Sequence, residues 1–232
     1  MSPRGTFIAI EGIDGSGKRT QAAWLGRALA ARGIPCVPFS FPRYGSSFGN
    51  LIASFLNGEF GSLEVVDAHL SALLYAGDRF EAKPELEASL ASGKTILADR
   101  YVASNLAHQT ARVAPERREE FMAWLRQLEY GTYGLPVEDL VVYLRVGAVE
   151  AQRLVGRKRP REYTALEHDI QEADLTHLER AAQVYDRLAT EPNWVTIEGL
   201  DPETSRLKSV EEIHEAVLAA VESRVLSRQV VS

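Results

Sequence analysis

The sequence predicts an α/β fold: a five-stranded parallel sheet flanked by helices on both faces. Three observations lead there. Five short apolar runs alternate with longer helix-like stretches. Each run is nearly continuous in apolar character, as a strand covered on both faces requires. The runs are separated by enough chain for crossover helices, which parallel neighbours need and hairpins do not.

Strands are read at residues 6–11 (TFIAIE), 35–40 (PCVPFS), 95–99 (TILAD), 139–146 (DLVVYLRV) and 194–198 (WVTIE). Helical stretches are read at 18–32, 63–92, 102–130, 149–157 and 167–190. A last helix begins after Ser209, because Ser209-Val210-Glu211-Glu212 has the spacing of a capping box ahead of an apolar-periodic stretch. Pro84 and Pro115 are expected to mark breaks or first turns inside the two long stretches. No repeat, low-complexity tract or long linker divides the chain, so residues 1–232 read as one domain.

Composition narrows the function. The chain has 232 residues and a net charge of −6, and a general nucleic-acid binder usually carries a basic surface instead. No apolar run approaches the roughly 20 residues needed to cross a bilayer, and no signal-like segment precedes the first strand. The lone Cys36 cannot close an internal disulfide, and no Cys/His spacing suggests zinc. The expectation is a soluble, cytoplasmic protein with no membrane or nucleic-acid polymer as partner.

The chemistry begins after the first strand. Gly12-Ile13-Asp14-Gly15-Ser16-Gly17-Lys18-Arg19-Thr20 follows it at once and opens a helix. In the pattern GxxxxGK[ST], glycines let backbone N–H groups wrap a nucleotide's phosphates. The helix N-terminus adds its positive end, and the lysine reaches the β- and γ-phosphates. Gly12, Gly17 and Lys18 match. Arg19 stands where a hydroxyl would meet Mg²⁺, and Thr20 lies about 100° further round the helix. Either magnesium is held by other groups, such as Asp14, Asp99 or water, or catalysis has been lost. The run ending in Asp99 suits a strand-terminal acid beside the loop, at the sheet edge where ligands bind.

Further motifs carry a resemblance. The opening FIAIEGIDGSGK, Phe41-Pro42-Arg43-Tyr44, Leu74-Tyr75-Ala76-Gly77-Asp78-Arg79, Asp99-Arg100-Tyr101-Val102-Ala103-Ser104-Asn105, residues 130–139 (YGTYGLPVED) and Asp169-Ile170-Gln171-Glu172 stand in one order. Together, over roughly residues 6–200, they resemble thymidylate kinases. The resemblance implies a P-loop nucleoside-monophosphate kinase fold, commonly homodimeric, that transfers the γ-phosphoryl of ATP to dTMP with Mg²⁺. It implies that Lys18 and the loop from Gly12 to Thr20 hold the donor phosphates. Arg43 and Arg100 would clamp the acceptor phosphate, which a planar, permanently charged fork suits. Phe41, Tyr44 and Ser104 would line the dTMP site, and Tyr75 would stack on thymine. Arg79 and Asn105 would read the base edge, and His108 would lie beside the deoxyribose 2′ position. Asp14 would serve the sugar or the metal, and the chain near residues 199–201 would meet adenine. Arg145 stands where the family often has an acid.

Residues 153–161 (RLVGRKRPR) carry five basic groups and no acid, within a lid read at about 153–170. Phosphoryl transfer needs positive charge over the equatorial oxygens more than covalent help. Family members with glycine at the loop position of Gly15 carry catalytic arginines in the lid, and Arg157 or Arg161 is the candidate here. Two alternatives stay open from sequence: a P-loop kinase for another monophosphate or a small alcohol, and a nucleotide-binding module weakened by Arg19.

Overall fold

The computed structural model describes residues 4–155 and 174–226. Strands β1 (Phe7–Glu11), β2 (Cys36–Ser40), β3 (Thr95–Asp99), β4 (Leu140–Arg145) and β5 (Trp194–Glu198) form one parallel sheet in the order β2-β3-β1-β4-β5. The helices are α1 (Lys18–Ala31), α2 (Ser47–Leu56), α3 (Ala68–Ala91), α4 (Val102–Thr110), α5 (Arg118–Arg126), α6 (Ala148–Val155), α7 (Leu175–Leu188) and α8 (Val210–Val221).

The two-residue period of the strands sorts the side chains into two cores. Ile8, Ile10, Leu97, Leu140, Val142 and Leu144 face one core, closed by Leu25 and Leu29 of α1 and by Ile213, Val217 and Val221 of α8. Phe7, Ala9, Ile96, Ala98, Val141 and Tyr143 face the other, built with α3, α4, α5 and α7. Full burial on both faces holds for the inner strands β1, β3 and β4. The edge strands β2 and β5 are only partly covered, although their sequences read much like the inner ones.

β1 has β3 on one side and β4 on the other, so the chain changes direction across it. A crevice opens at the carboxyl edge of such a switch point. Register places Ile10 beside Asp99 there, so the glycine loop and the end of β3 are neighbours.

Pro84 does not break its helix: it lies inside the continuous α3. It is exposed, as is Phe80, whose helical bond the ring removes, so water can serve that carbonyl. Pro115 does open a turn, the short 3₁₀ segment Pro115–Arg117. The capping box is present: Ser209 Oγ accepts from the Glu212 N–H at 3.2 Å, and Glu212 Oε2 accepts from the Ser209 N–H at 2.7 Å. Arg145 also gains a role, donating to both oxygens of Asp186 at 2.9 Å and to Glu198 at 3.3 Å across α7 and β5.

Candidate functional site

The glycine loop is shaped by where side chains are forbidden. Gly12 (φ +144°) lies so close to the Leu144 carbonyl and Ser16 Oγ that a Cβ would sit 2.6 and 2.7 Å from them. Gly15 (φ +90°) faces α6, where a Cβ would stand 2.0 Å from the Ala151 carbonyl. Gly17 (φ +91°) caps α1 in the left-handed conformation with open space around it. α1 begins at Lys18, whose Nζ is buried and donates to the Ile13 carbonyl at 2.8 Å, closing the loop on itself. Ser16 Oγ is buried with no partner among the described residues. Arg19 and Thr20 are both exposed.

The end of β3 supplies the opposite wall. Arg100 has φ +69°, a conformation that costs a side-chain-bearing residue about 1–2 kcal/mol. Two bonds hold it: its own N–H donates to the Ile10 carbonyl at 3.1 Å, and the Tyr101 N–H donates to Glu11 Oε1 at 2.6 Å. Glu11 is fully buried, and its other oxygen accepts the Ser104 and Tyr185 hydroxyls at 2.7 and 2.8 Å. Thus turned, the Arg100 guanidinium donates to Asp14 Oδ1 at 2.5 Å and to Ser104 Oγ at 3.0 Å. Burial works most strongly against its charge, but Asp14, Tyr185, Asp99 and Glu11 together outweigh that and hold the pKa above its ordinary value. Asp99 Oδ1 is buried and unpartnered among the described residues.

Arg100 also meets His108, with Nη1 3.4 Å from Nε2. A guanidinium can only donate, so Nε2 accepts and Nδ1 carries the hydrogen. Nδ1 then donates to His177 Nε2 at 3.3 Å, tying α4 to α7. Burial lowers the pKa of both rings, His177 to about 4, so the pair is neutral near neutral pH.

On the acceptor side, Arg43 follows a cis Phe41–Pro42 bond. Asp78 positions it, accepting the Arg43 N–H at 2.9 Å and lying 3.5 Å from Nε, while Nη1 donates to Glu85 at 3.2 Å. Phe41, just past the end of β2, is 3 % exposed and packs between Phe39 and Tyr101. Tyr44 is exposed, and Tyr75 is half-buried, edge-on to Phe55.

Arg79 and Asn105 come together around a residue that sequence reading passed over. Glu129 is fully buried in a π-helical segment, Gln127–Thr132. It accepts from Arg79 Nε at 2.8 Å, from Arg79 Nη2, and from Asn105 Nδ2 at 2.7 Å. Burial opposes the Arg79 charge, and Glu129 more than restores it. Asn105 Nδ2 donates also to the Ala72 carbonyl at 3.0 Å, while its Oδ1 is buried with no partner among the described residues.

The structure therefore gathers Gly12, Asp14, Gly15, Ser16, Gly17, Lys18, Asp99, Arg100, Ser104 and His108 around one sheet edge. Arg157 and Arg161 lie outside the described residues. Glu11, Asp78, Glu129 and His177 were missed as site residues. Glu11 and Asp78 stood inside quoted motifs, and for the other two no local pattern signals the role. Among the described residues no three acidic, histidine or cysteine side chains cluster as a metal cage. No helix among them is long and apolar enough to cross a membrane.

Comparison with known proteins places these features in a family. A family described as Thymidylate kinase matches residues 10–216. The thymidylate kinase of Mycobacterium tuberculosis is 34% identical over 206 residues, covering 87% of this chain and 94% of that protein. That of Homo sapiens is 29% identical, covering 98% and 92%. The solved thymidylate kinase structure from Candida albicans superposes with a TM-score of 0.73 at 22% identity, covering 96% of this chain and 93% of that one.

Proposed function

The chain belongs to the thymidylate kinase family and transfers the γ-phosphoryl group of ATP to dTMP, and we propose that the residues at the carboxyl edge of its sheet divide this task as follows. The observation that carries the assignment is the Asp14–Arg100 contact, which brings the donor loop and the end of β3 within 2.5 Å.

The loop N–H groups from Gly12 to Thr20 and the positive end of α1 receive the ATP phosphates. Lys18 exchanges the Ile13 carbonyl for the β- and γ-phosphate oxygens. Arg100 and Arg43 hold the dTMP phosphate, each already aimed by a carboxylate. No general base is required, since the attacking phosphate oxygen is ionised near neutral pH. Tyr75 stacks on thymine, and Tyr44 and Ser104 line the same site. Arg79 donates toward the base and Asn105 Oδ1 accepts its ring N–H, which gives that orphaned oxygen a partner. His108 borders the sugar through its contact with Arg100.

The donors fit Mg²⁺, a hard cation that takes one or two carboxylates and completes its shell with phosphates and water. Asp99, with an unpartnered buried oxygen, and Asp14 would hold it. When bound, it supplies charge neutralisation at the phosphates. Exposed Arg19 leaves the loop interior clear. Arg157 or Arg161 adds charge over the transferring group, and lid closure excludes water.

The whole chain acts as one such domain, in the cytoplasm, in keeping with its single Cys36. It works as a homodimer, for which exposed Leu51, Phe60, Val65, Leu70 and Phe80 around α2 and α3 provide apolar surface. A coupled ADP-release assay with dTMP, dUMP, dCMP and dGMP tests the assignment. The wild type should prefer dTMP, and Lys18→Ala should lose about 10²-fold or more in kcat. Undiminished turnover in Lys18→Ala or Arg100→Ala would overturn these roles.

A further inference from the structure

An asparagine amide offers a donor at one end and an acceptor at the other, so it reads a base only if its surroundings forbid it to turn over. Around Asn105 the surroundings are explicit. Its Nδ2 lies 2.7 Å from Glu129 Oε1 and 3.0 Å from the Ala72 carbonyl, so both amide hydrogens are committed to acceptors. Turned over, Oδ1 would face a carboxylate oxygen and a carbonyl in a buried place, with no hydrogen between any of them. The same carboxylate takes Arg79 Nε and Nη2, leaving Nη1 of a donor-only group outside that pair.

We propose that Glu129 is the positioning residue that sets pyrimidine specificity: it locks Asn105 as an acceptor and Arg79 as a donor, side by side. That pattern complements an imide edge, a ring N–H beside a carbonyl, as in thymine and uracil. It mismatches the amidine edge of cytosine, where a ring nitrogen accepts and the neighbouring amino group donates. Glu129 acts through two other side chains, from a π-helical turn of the kind that often marks functional positions. The inference rests on Arg79 and Asn105 meeting the base.

Steady-state kinetics of Glu129→Gln with dTMP and dCMP tests it. A glutamine amide can donate to Asn105 Oδ1, which leaves the Ala72 carbonyl alone to oppose the asparagine's turning and showing its NH₂ to the base. The ratio of kcat/KM for dTMP over dCMP should fall about 10-fold or more, by loss with dTMP and gain with dCMP. The KM for ATP should stay unchanged. If both acceptors lose equally and the ratio holds, Glu129 is merely structural and the proposal is overturned. Asn105→Ala separates the two levels. An unchanged ratio there refutes base reading itself, whereas a collapsed ratio there with an intact one in Glu129→Gln refutes only the lock. Should Glu129→Gln fail to fold by circular dichroism, Glu129→Asp takes its place, because it keeps a carboxylate but draws it one methylene away from Arg79 and Asn105. The dTMP/dCMP ratio should then fall about threefold or more with the KM for ATP unchanged, and equal losses with both acceptors would overturn the proposal.

Discussion

Replacing Glu138 by glutamine should remove a pH dependence of stability that the native chain carries between about pH 5 and pH 8. Glu138 is 5 % exposed, and its Oε2 accepts the Tyr130 hydroxyl at 2.7 Å. Burial raises its pKa from 4.5 to about 7; the Tyr130 bond opposes the rise, and the Glu11 and Glu129 carboxylates reinforce it. A carboxyl raised in this way stabilises the fold fully below its unfolded pKa, and the contribution is lost as pH climbs through the folded value. The native state binds the extra proton in that window, so stability falls with rising pH. At full amplitude the displacement is worth about 3 kcal/mol, of which about 2.5 kcal/mol is expressed between pH 5 and pH 8. His177 runs the other way. Burial lowers its pKa to about 4, so its contribution is present above its ordinary value of 6.5 and lost as pH falls toward 4. His108, lowered by burial and by Arg100, has the same sign. The raw profile therefore mixes opposed effects, and the difference between native and Glu138→Gln chains isolates the carboxyl. Urea unfolding across that range should show the variant gaining about 2.5 kcal/mol on the native chain as pH rises. A difference constant within about 0.5 kcal/mol would refute the reasoning.

Three further outcomes are expected. Gly15→Ala, strained at φ +90° and driven into the Ala151 backbone, should lose about 2 kcal/mol or more in urea unfolding and raise the KM for ATP. Ser209→Ala should lower stability by about 1 kcal/mol, a melting shift of about 2–4 °C by calorimetry, with turnover unchanged. One of Arg157→Ala and Arg161→Ala should lower kcat by about 10³-fold in single-turnover kinetics while leaving dTMP binding intact.

Local chemistry made much of the fold legible. The inner strands announced themselves by unbroken apolar runs, and Ser209 with Glu212 marked the start of α8 in four residues. α2 escaped because Gly49, Ser47 and Ser54 disguise it. The glycine is there for a neighbour distant in kind, the Arg43 carbonyl, which a Cβ would approach to 2.0 Å. The phosphate loop was readable because its backbone needs glycine at fixed spacing. Glu129 and His177 were not, since each works through contacts far along the chain, Glu129 with Arg79 and Asn105 at 50 and 24 residues and His177 with His108 at 69.

The seating of α6 on Gly15 has a consequence for how this scaffold can vary. Loop and α6 occupy one volume, with the Ala151 backbone standing where a loop side chain would be. An arginine could not take the place of Gly15 without first prising α6 away. At this loop position the choice of residue is settled by excluded volume before any electrostatic preference can act. The two segments share one foundation, and a change in either is felt by the other.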